Sequence, residues 1–220
     1  MTEVELLLAT RIADCLDRRR KALTEVSRVV ASVKGSLLLS PACVMAVPMI
    51  YAHWEGFAKE VLQLYVEHLE SIALPQGDTS SALLAYAWEG SFAKLRDTLT
   101  HAKKEEIVDR FFGNLENALV FEKKQREIDT KSNLMFGVVE ELATALCLDI
   151  GPLRAHSKNL DALVHRRNCI AHGGRDQKLD ENDVATYRDL AMALMTDLEA
   201  TLLKALCNQT YRRTPKAITA

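Results

Sequence analysis

The chain has 220 residues, of which 48% are hydrophobic and 26% charged, with a formal net charge of -2. This composition is typical of a globular protein and excludes a disordered one. The small net charge also excludes a general basic field, so any RNA contact has to come from a local patch. No apolar run approaches the ~18 residues that cross a bilayer, and the N-terminus does not resemble a signal peptide. We therefore expect a cytoplasmic protein.

The cysteines and histidines indicate no metal site. The five cysteines are widely spaced without a Cys-x-x-Cys pair, and the six histidines form no His-Glu-x-x-His motif. Such spacing favours reduced, mostly buried thiols and predicts neither a zinc site nor a disulfide framework. We expect no metal and no cofactor.

Apolar residues recur every three to four positions almost throughout, with only nine glycines and five prolines, so we predict an all-α fold. A first helix is predicted over 3–33. A second begins at Ser40-Pro41 or at Pro48 and runs to about Ala73. Residues 79–100 form one helix or two shorter ones.

The second half of the chain begins with a polar, charge-rich segment, about 101–131, which we interpret as a short helix around 104–112 followed by a loop or insertion. Three helices follow: one capped by Ser132 over about 133–147, one over 156–172, and one from Asp180 to about Cys207. A tail of about 209–220 is expected to fray. We predict one helical-bundle domain over residues 1–220.

Two Arg–His pairs have four intervening residues, namely Arg96 with His101 and Arg167 with His172. Roughly one match to a spacing of four to six residues is expected by chance, so the helical context has to decide between them. On an ideal helix Arg167 lies near the centre of an apolar stripe. That stripe contains Leu160, Leu163, Val164 and Ala171. We therefore favour the second pair and interpret the first as a chance match.

An arginine on a core-facing stripe needs a partner, because burial of a bare charge is expensive. One interpretation is a functional pair with His172, next to Gly173-Gly174, which leave room for a ligand. The alternative is a structural ion pair and a capping histidine. An ideal helix separates Arg167 and His172 by about 140°. They converge only through the length of the arginine, an unwound last turn, or a second copy across a dimer interface.

The segment from Arg167 to His172 resembles the signature of the HEPN superfamily, in which four to six residues separate Arg from His and a polar residue follows the Arg. Asn168 is that polar residue. The sequence Asn-x-Ile-Ala-His-Gly, from Asn168 to Gly173, is similar to that of the prokaryotic MAE-type HEPN proteins, relatives of the RiboL-PSP group. Two further stretches, Tyr51–Phe57 and Ile128–Leu134, are similar to that family. The resemblance implies a HEPN-like bundle that dimerises and sets two motifs in one cleft.

Members of this superfamily are typically metal-independent endoribonucleases of toxin–antitoxin or phage-defence systems, and others are non-catalytic modules that bind nucleotide or RNA or act as scaffolds. The resemblance implies that His172 moves protons, Arg167 holds the phosphate, and Asn168 orients His172 or the phosphate. The expected partners are RNA, a second copy of the chain and, as a candidate, an antitoxin protein. A tentative RNA-binding rim consists of Arg166, His165, Arg175 and Lys178. Solvated surface charge explains each rim residue equally well, and a plain helical interaction protein is a further alternative.

Three polar residues of the second helix are interpreted separately. His53 and His68 lie on its apolar stripe, so we expect hydrogen-bonded core histidines there. Glu55 points away from the stripe and is a weaker candidate to pair with a basic residue of the motif.

Overall fold

A computed structural model describes residues 2–96, 100–173 and 178–213, without the side chains of 94–96. Over these ranges the chain forms ten α-helices and one 3-10 turn at Gln76–Asp78, and no strand. The prediction of an all-α fold is therefore confirmed. The helices are α1 Glu3–Ser32, α2 Leu39–Ser71, α3 Ser81–Ala87, α4 Glu89–Arg96, α5 His101–Gly113, α6 Lys123–Arg126, α7 Phe136–Ala145, α8 Gly151–Arg154, α9 Ser157–Ala171 and α10 Glu181–Asn208.

Helix α2 is the central element of the fold. It packs against α1, α9 and α10, and its 33 residues span about 50 Å at 1.5 Å per residue. Its apolar side chains cover most of its circumference, and Trp54, Phe57 and Tyr65 are fully buried, as expected for a helix inside a bundle. Pro48 lies inside the helix. Of the two predicted starts, the one at Ser40-Pro41 is therefore nearly correct and the one at Pro48 is wrong.

Capping boxes define the N-terminal ends of the first and last helices. Thr2 caps α1 in a capping box with Glu5. Asp180 caps α10 in the same way, because its carboxylate accepts the N–H groups of Asn182 and Asp183. Each box satisfies amides that have no partner within the helix. The predicted start of the last helix at Asp180 is confirmed.

The middle of the chain is more ordered than the sequence suggested. Helix α5 is longer than predicted and buries none of its residues. The segment after it returns to the core, where Leu119 and Phe121 are buried. The N–H of Leu119 donates to the Leu74 carbonyl at 2.7 Å, and that of Phe121 donates to the Glu70 carboxylate at 2.8 Å. The part predicted as a loop or insertion is thus fastened to the end of α2.

Two expectations about helix ends are wrong. Ser132 does not cap a helix, because it adopts a left-handed conformation with φ 65° and α7 begins only at Phe136. The expected fraying fails for 209–213, since Tyr211 is buried and the N–H of Arg213 donates to the Asp78 carbonyl at 2.7 Å. The remainder of the tail, 214–220, lies outside the described residues.

Within the described part of the chain, no helix has the length and apolar character needed to cross a membrane.

Candidate functional site

Helix α9 carries the Arg–His motif and lies against α2. Leu160, Leu163 and Val164 are its buried residues, which confirms that part of the predicted apolar stripe, whereas Ala171, predicted on the same stripe, is exposed. The helix spans Ser157–Ala171, within one residue of the predicted 156–172. It ends where Gly173 takes φ 71°, a left-handed conformation that glycine adopts without a steric penalty.

The half-buried Arg167 side chain is held by three uncharged groups. Its Nη1 donates to Oδ1 of Asn133 at 3.2 Å and to Oδ1 of Asn168 at 2.8 Å. Its guanidinium carbon lies 5.1 Å from the ring centroid of Tyr51, which is the geometry of a cation–π contact. We call Tyr51, Asn133 and Asn168 the Arg167 cradle.

The cradle leaves the charge of Arg167 uncompensated. Among the described residues no carboxylate forms an ion pair with it, and each contact that it makes is to a neutral group. The structural ion pair considered from the sequence is therefore not found within this part of the chain. A half-buried cation held only by neutral groups retains its attraction for an external anion.

One edge of the guanidinium also remains open. Both cradle oxygens bond to Nη1, and neither Nε nor Nη2 donates to any described residue. A guanidinium has five N–H donors in a fixed fork, and two adjacent donors match two oxygens of a phosphate. The geometry therefore allows bidentate binding of a phosphate without loss of the internal contacts.

Glu55, the weaker candidate partner for the motif, forms no ion pair with Arg167 in the described structure. Burial raises the pKa of Tyr51 to about 12; the N–H of Leu134 opposes this and the carboxylate of Glu55 adds to it. The N–H of Leu134 donates to the Tyr51 hydroxyl at 2.7 Å. The Tyr51 ring is thereby fixed at its hydroxyl end as well as by core packing.

His172 is separate from Arg167 within one chain. It is exposed at the end of α9 and makes no side-chain hydrogen bond to any described residue. Its N–H donates to the Asn168 carbonyl at 3.0 Å, so the last turn is not unwound. Of the three predicted catalytic residues, the structure brings together Arg167 and Asn168 and leaves His172 apart.

Asn168 has a different contact from the expected one. Its side-chain oxygen orients Arg167, and its amide does not bond to His172 in the described structure. Sequence reasoning also missed Asn133 and Tyr51 as contacts of Arg167, although both lie in stretches already noted for their resemblance. Their positions in the chain gave no indication that they meet Arg167.

The predicted RNA-binding rim is only partly described. His165 is exposed, with its Nε2 3.5 Å from the Cys169 sulfur. Arg166 is half-buried in α9, and Lys178 is exposed just before α10. Arg175 lies outside the described residues.

A separate groove of about 660 Å³ lies between α3, the segment around α6, and α7. Neither Arg167 nor His172 lines it. Two lysines, Lys124 and Lys131, face five acids there. The acids are Glu89, Glu127, Asp129, Glu140 and Glu141. This charge balance repels phosphate, so the groove does not compete with the Arg167 site as a place for RNA.

Of the two histidines of α2, His68 is buried in the core as expected and His53 is half-buried, but neither side chain makes the expected hydrogen bond to a described residue. Among the described residues, Nδ1 of His53 and Nε2 of His68 are buried without a hydrogen bond. Burial lowers the pKa of both imidazoles, and the charge of Arg19 lowers that of His53 further. The described residues contain no cluster of three or more His, Cys, Asp or Glu side chains that could hold a metal ion.

An all-α bundle with an Arg-x4-His motif at the end of a helix defines the HEPN class of protein. A family model described as HEPN_MAE_28990-like HEPN matches residues 8–211. The chain therefore belongs to the MAE-type HEPN family. No curated protein and no solved structure gives a match.

Proposed function

We propose that this protein is a metal-independent endoribonuclease of the HEPN type that acts as the toxin of a toxin–antitoxin or phage-defence system. The observation that carries the proposal is the uncompensated charge of Arg167, which presents a free Nε–Nη2 edge. Structural arginines in half-buried positions are ordinarily neutralised by a carboxylate. The neutral cradle instead suits a cation that binds a phosphate.

The chemistry needs only proton transfer and charge stabilisation, since RNA supplies its own nucleophile. The 2′-oxygen attacks phosphorus, its proton passes to a base, and the bond from phosphorus to the 5′-oxygen breaks as that oxygen gains a proton. A neutral imidazole accepts a proton and an imidazolium donates one, so His172 serves as base or acid. Arg167 stabilises the charge that accumulates on the phosphate oxygens. The products are a 2′,3′-cyclic phosphate and a 5′-hydroxyl end.

A second copy of the chain completes the site. His172 of one chain does not contact Arg167 of the same chain in the described structure, whereas a symmetric dimer sets two motifs opposite each other. Support for a self-interaction comes from α2, on which Met45 and Met49 are 68% and 51% exposed beside Ala52 on one face. Exposed apolar side chains grouped in this way are typical of an interaction surface.

The test is cleavage of total RNA and of tRNA in EDTA by wild type, Arg167→Ala and His172→Ala, with the product ends mapped. We expect cyclic-phosphate ends from wild type and a loss on the order of 10²-fold or more in each variant. Sedimentation of the same samples checks that all three remain dimeric. Intact RNA with all three proteins, as stable dimers, would rule out the nuclease.

One observation favours a second candidate function, a non-catalytic HEPN module that binds nucleotide or RNA. Arg167 is positioned within a single chain, whereas His172 makes no contact there that would fix its imidazole. An anion site needs only the arginine, but cleavage needs both residues. RNA binding that depends on Arg167 and not on His172, without cleavage, is the result expected of that module.

A further inference from the structure

We infer that Asn133 is a positioning residue for Arg167, and that its uncharged amide is what keeps the guanidinium available to a phosphate. This inference rests on the proposed role of Arg167 as a phosphate-binding residue. Asn133 lies 34 positions before Arg167 in the chain and outside the Arg–His motif, yet its Oδ1 accepts from Nη1 at 3.2 Å.

The neutrality of the acceptor matters because of its distance and partial burial. An amide oxygen offers a partial negative charge, which orients Nη1 and leaves the net charge of the arginine unchanged. A carboxylate at the same 3.2 Å would orient it equally well, but it would neutralise the cation in a site only partly open to water. Stability and anion binding therefore make opposite demands on the residue at position 133.

The backbone just before Asn133 adopts an unusual conformation that neighbouring contacts hold in place. Lys131 and Ser132 take φ values of 50° and 65°, conformations that are unfavourable for residues other than glycine and that persist only when surrounding contacts impose them. Such contacts follow directly: Leu134 donates to the Tyr51 hydroxyl, and the N–H of Phe136 donates to the Asp161 carboxylate at 2.8 Å. The turn is thus fastened to both α2 and α9, the two helices that carry the rest of the site.

The decisive variant is Asn133→Asp, which keeps the shape and the acceptor oxygen, adds a negative charge and replaces the amide N–H donors by a second carboxylate oxygen. The binding probe is a fluorescein-labelled 2′-O-methyl RNA oligonucleotide, which lacks the nucleophile and cannot be cleaved by 2′-oxygen attack. We expect Asn133→Asp to unfold at the same or a higher temperature than wild type. We expect its affinity for the probe to fall at least tenfold and its cleavage of ordinary RNA about 100-fold.

Two further variants accompany it. Asn133→Ala removes the acceptor but leaves the cation, so we expect severalfold weaker binding together with a lower unfolding temperature. The matched control is Glu60→Gln, which makes the reverse change, from carboxylate to amide, at another arginine of the bundle, Arg19. We expect it to leave probe binding and cleavage at wild-type values.

The outcomes separate this inference from the proposed nuclease activity. Wild-type affinity in Asn133→Asp overturns the inference whether or not the protein cleaves RNA. If Asn133→Asp does not fold, the alanine variant decides, and unchanged binding there overturns it too. If Arg167→Ala binds the probe as tightly as wild type, Arg167 does not bind the phosphate and the inference about Asn133 loses its basis. A wild type that binds the probe through Arg167 but never cleaves contradicts only the nuclease, and the variants still test Asn133 by affinity.

Discussion

Arg19 and Arg167 lie against different faces of helix α2, and the two arginines are held by opposite chemistry. Arg19, on α1, rests on Gly56, where a Cβ atom would lie 3.0 Å from its Nη2, and its Nη2 is 3.1 Å from the Glu60 carboxylate. Arg167, on α9, rests on the ring of Tyr51 and meets only amide oxygens. The first is neutralised and the second is not.

The pKa of Glu60 agrees with this contrast. Burial alone would raise the pKa of that carboxyl, but hydrogen bonds from Cys15, Arg18 and Arg19 outweigh burial and lower it. The carboxylate of Glu60 thus neutralises Arg19, and this ion pair joins α1 to α2. The two partly buried arginines therefore differ in the charge of their neighbours and not in their burial.

The largest expected effect comes from replacing each arginine by lysine. Lysine keeps the charge but loses the planar fork, so Arg167→Lys cannot hold the cradle and a phosphate together. We expect a loss of RNA cleavage on the order of 10²-fold with little change in stability. Arg19→Lys should retain full cleavage. Equal loss of activity in the two variants would remove the distinction between the two sites.

A second test addresses how the cradle is supported. Tyr51→Phe retains the ring beneath Arg167 and leaves the buried N–H of Leu134 without its acceptor. We expect a loss of about 1–3 kcal/mol in the free energy of unfolding by urea, together with a severalfold loss of cleavage as the Asn133 turn loosens. Tyr65→Phe is the matched control, because the buried Tyr65 hydroxyl has no hydrogen-bond partner among the described residues. A loss in the free energy of unfolding as large in Tyr65→Phe as in Tyr51→Phe would contradict this account.

The smallest expected effect is on the pH dependence of stability and is tested on the Arg19 side through His53. The pKa of His53 is lowered in the folded protein by burial and by Arg19, so the unfolded chain binds a proton more readily. The contribution of His53 to the free energy of unfolding is therefore fully present above about pH 6.5, the ordinary histidine pKa. It is lost as the pH decreases through that value toward the lower pKa of the folded state. Urea unfolding between about pH 7.5 and 5.5 should show a smaller decline in His53→Gln than in wild type. Identical declines would exclude His53 as a contributor.

The helical elements could be predicted because their signals are local. Apolar spacing fixed α1, α2 and α9, and the capping box at Asp180 fixed the start of α10. The prediction failed where tertiary contacts override local preference. Ser132 is a good capping residue in isolation, but the bond from Leu134 to Tyr51 and that from Phe136 to Asp161 delay α7 until Phe136. Tyr211 is likewise held by burial in the core, which an account of chain ends does not foresee.

The sequence by itself determined an all-α chain of the HEPN family and an arginine on the core-facing stripe of α9, because helical periodicity and the short motif are both written in neighbouring residues. Only the tertiary structure decided what surrounds that arginine. Tyr51 and Asn133 meet Arg167 because α2 packs against α9 and the turn before α7 is fastened between them. Such contacts between distant segments have no periodicity along the chain. Packing therefore sets the neutral environment in which the charge of Arg167 has no compensating carboxylate among the described residues.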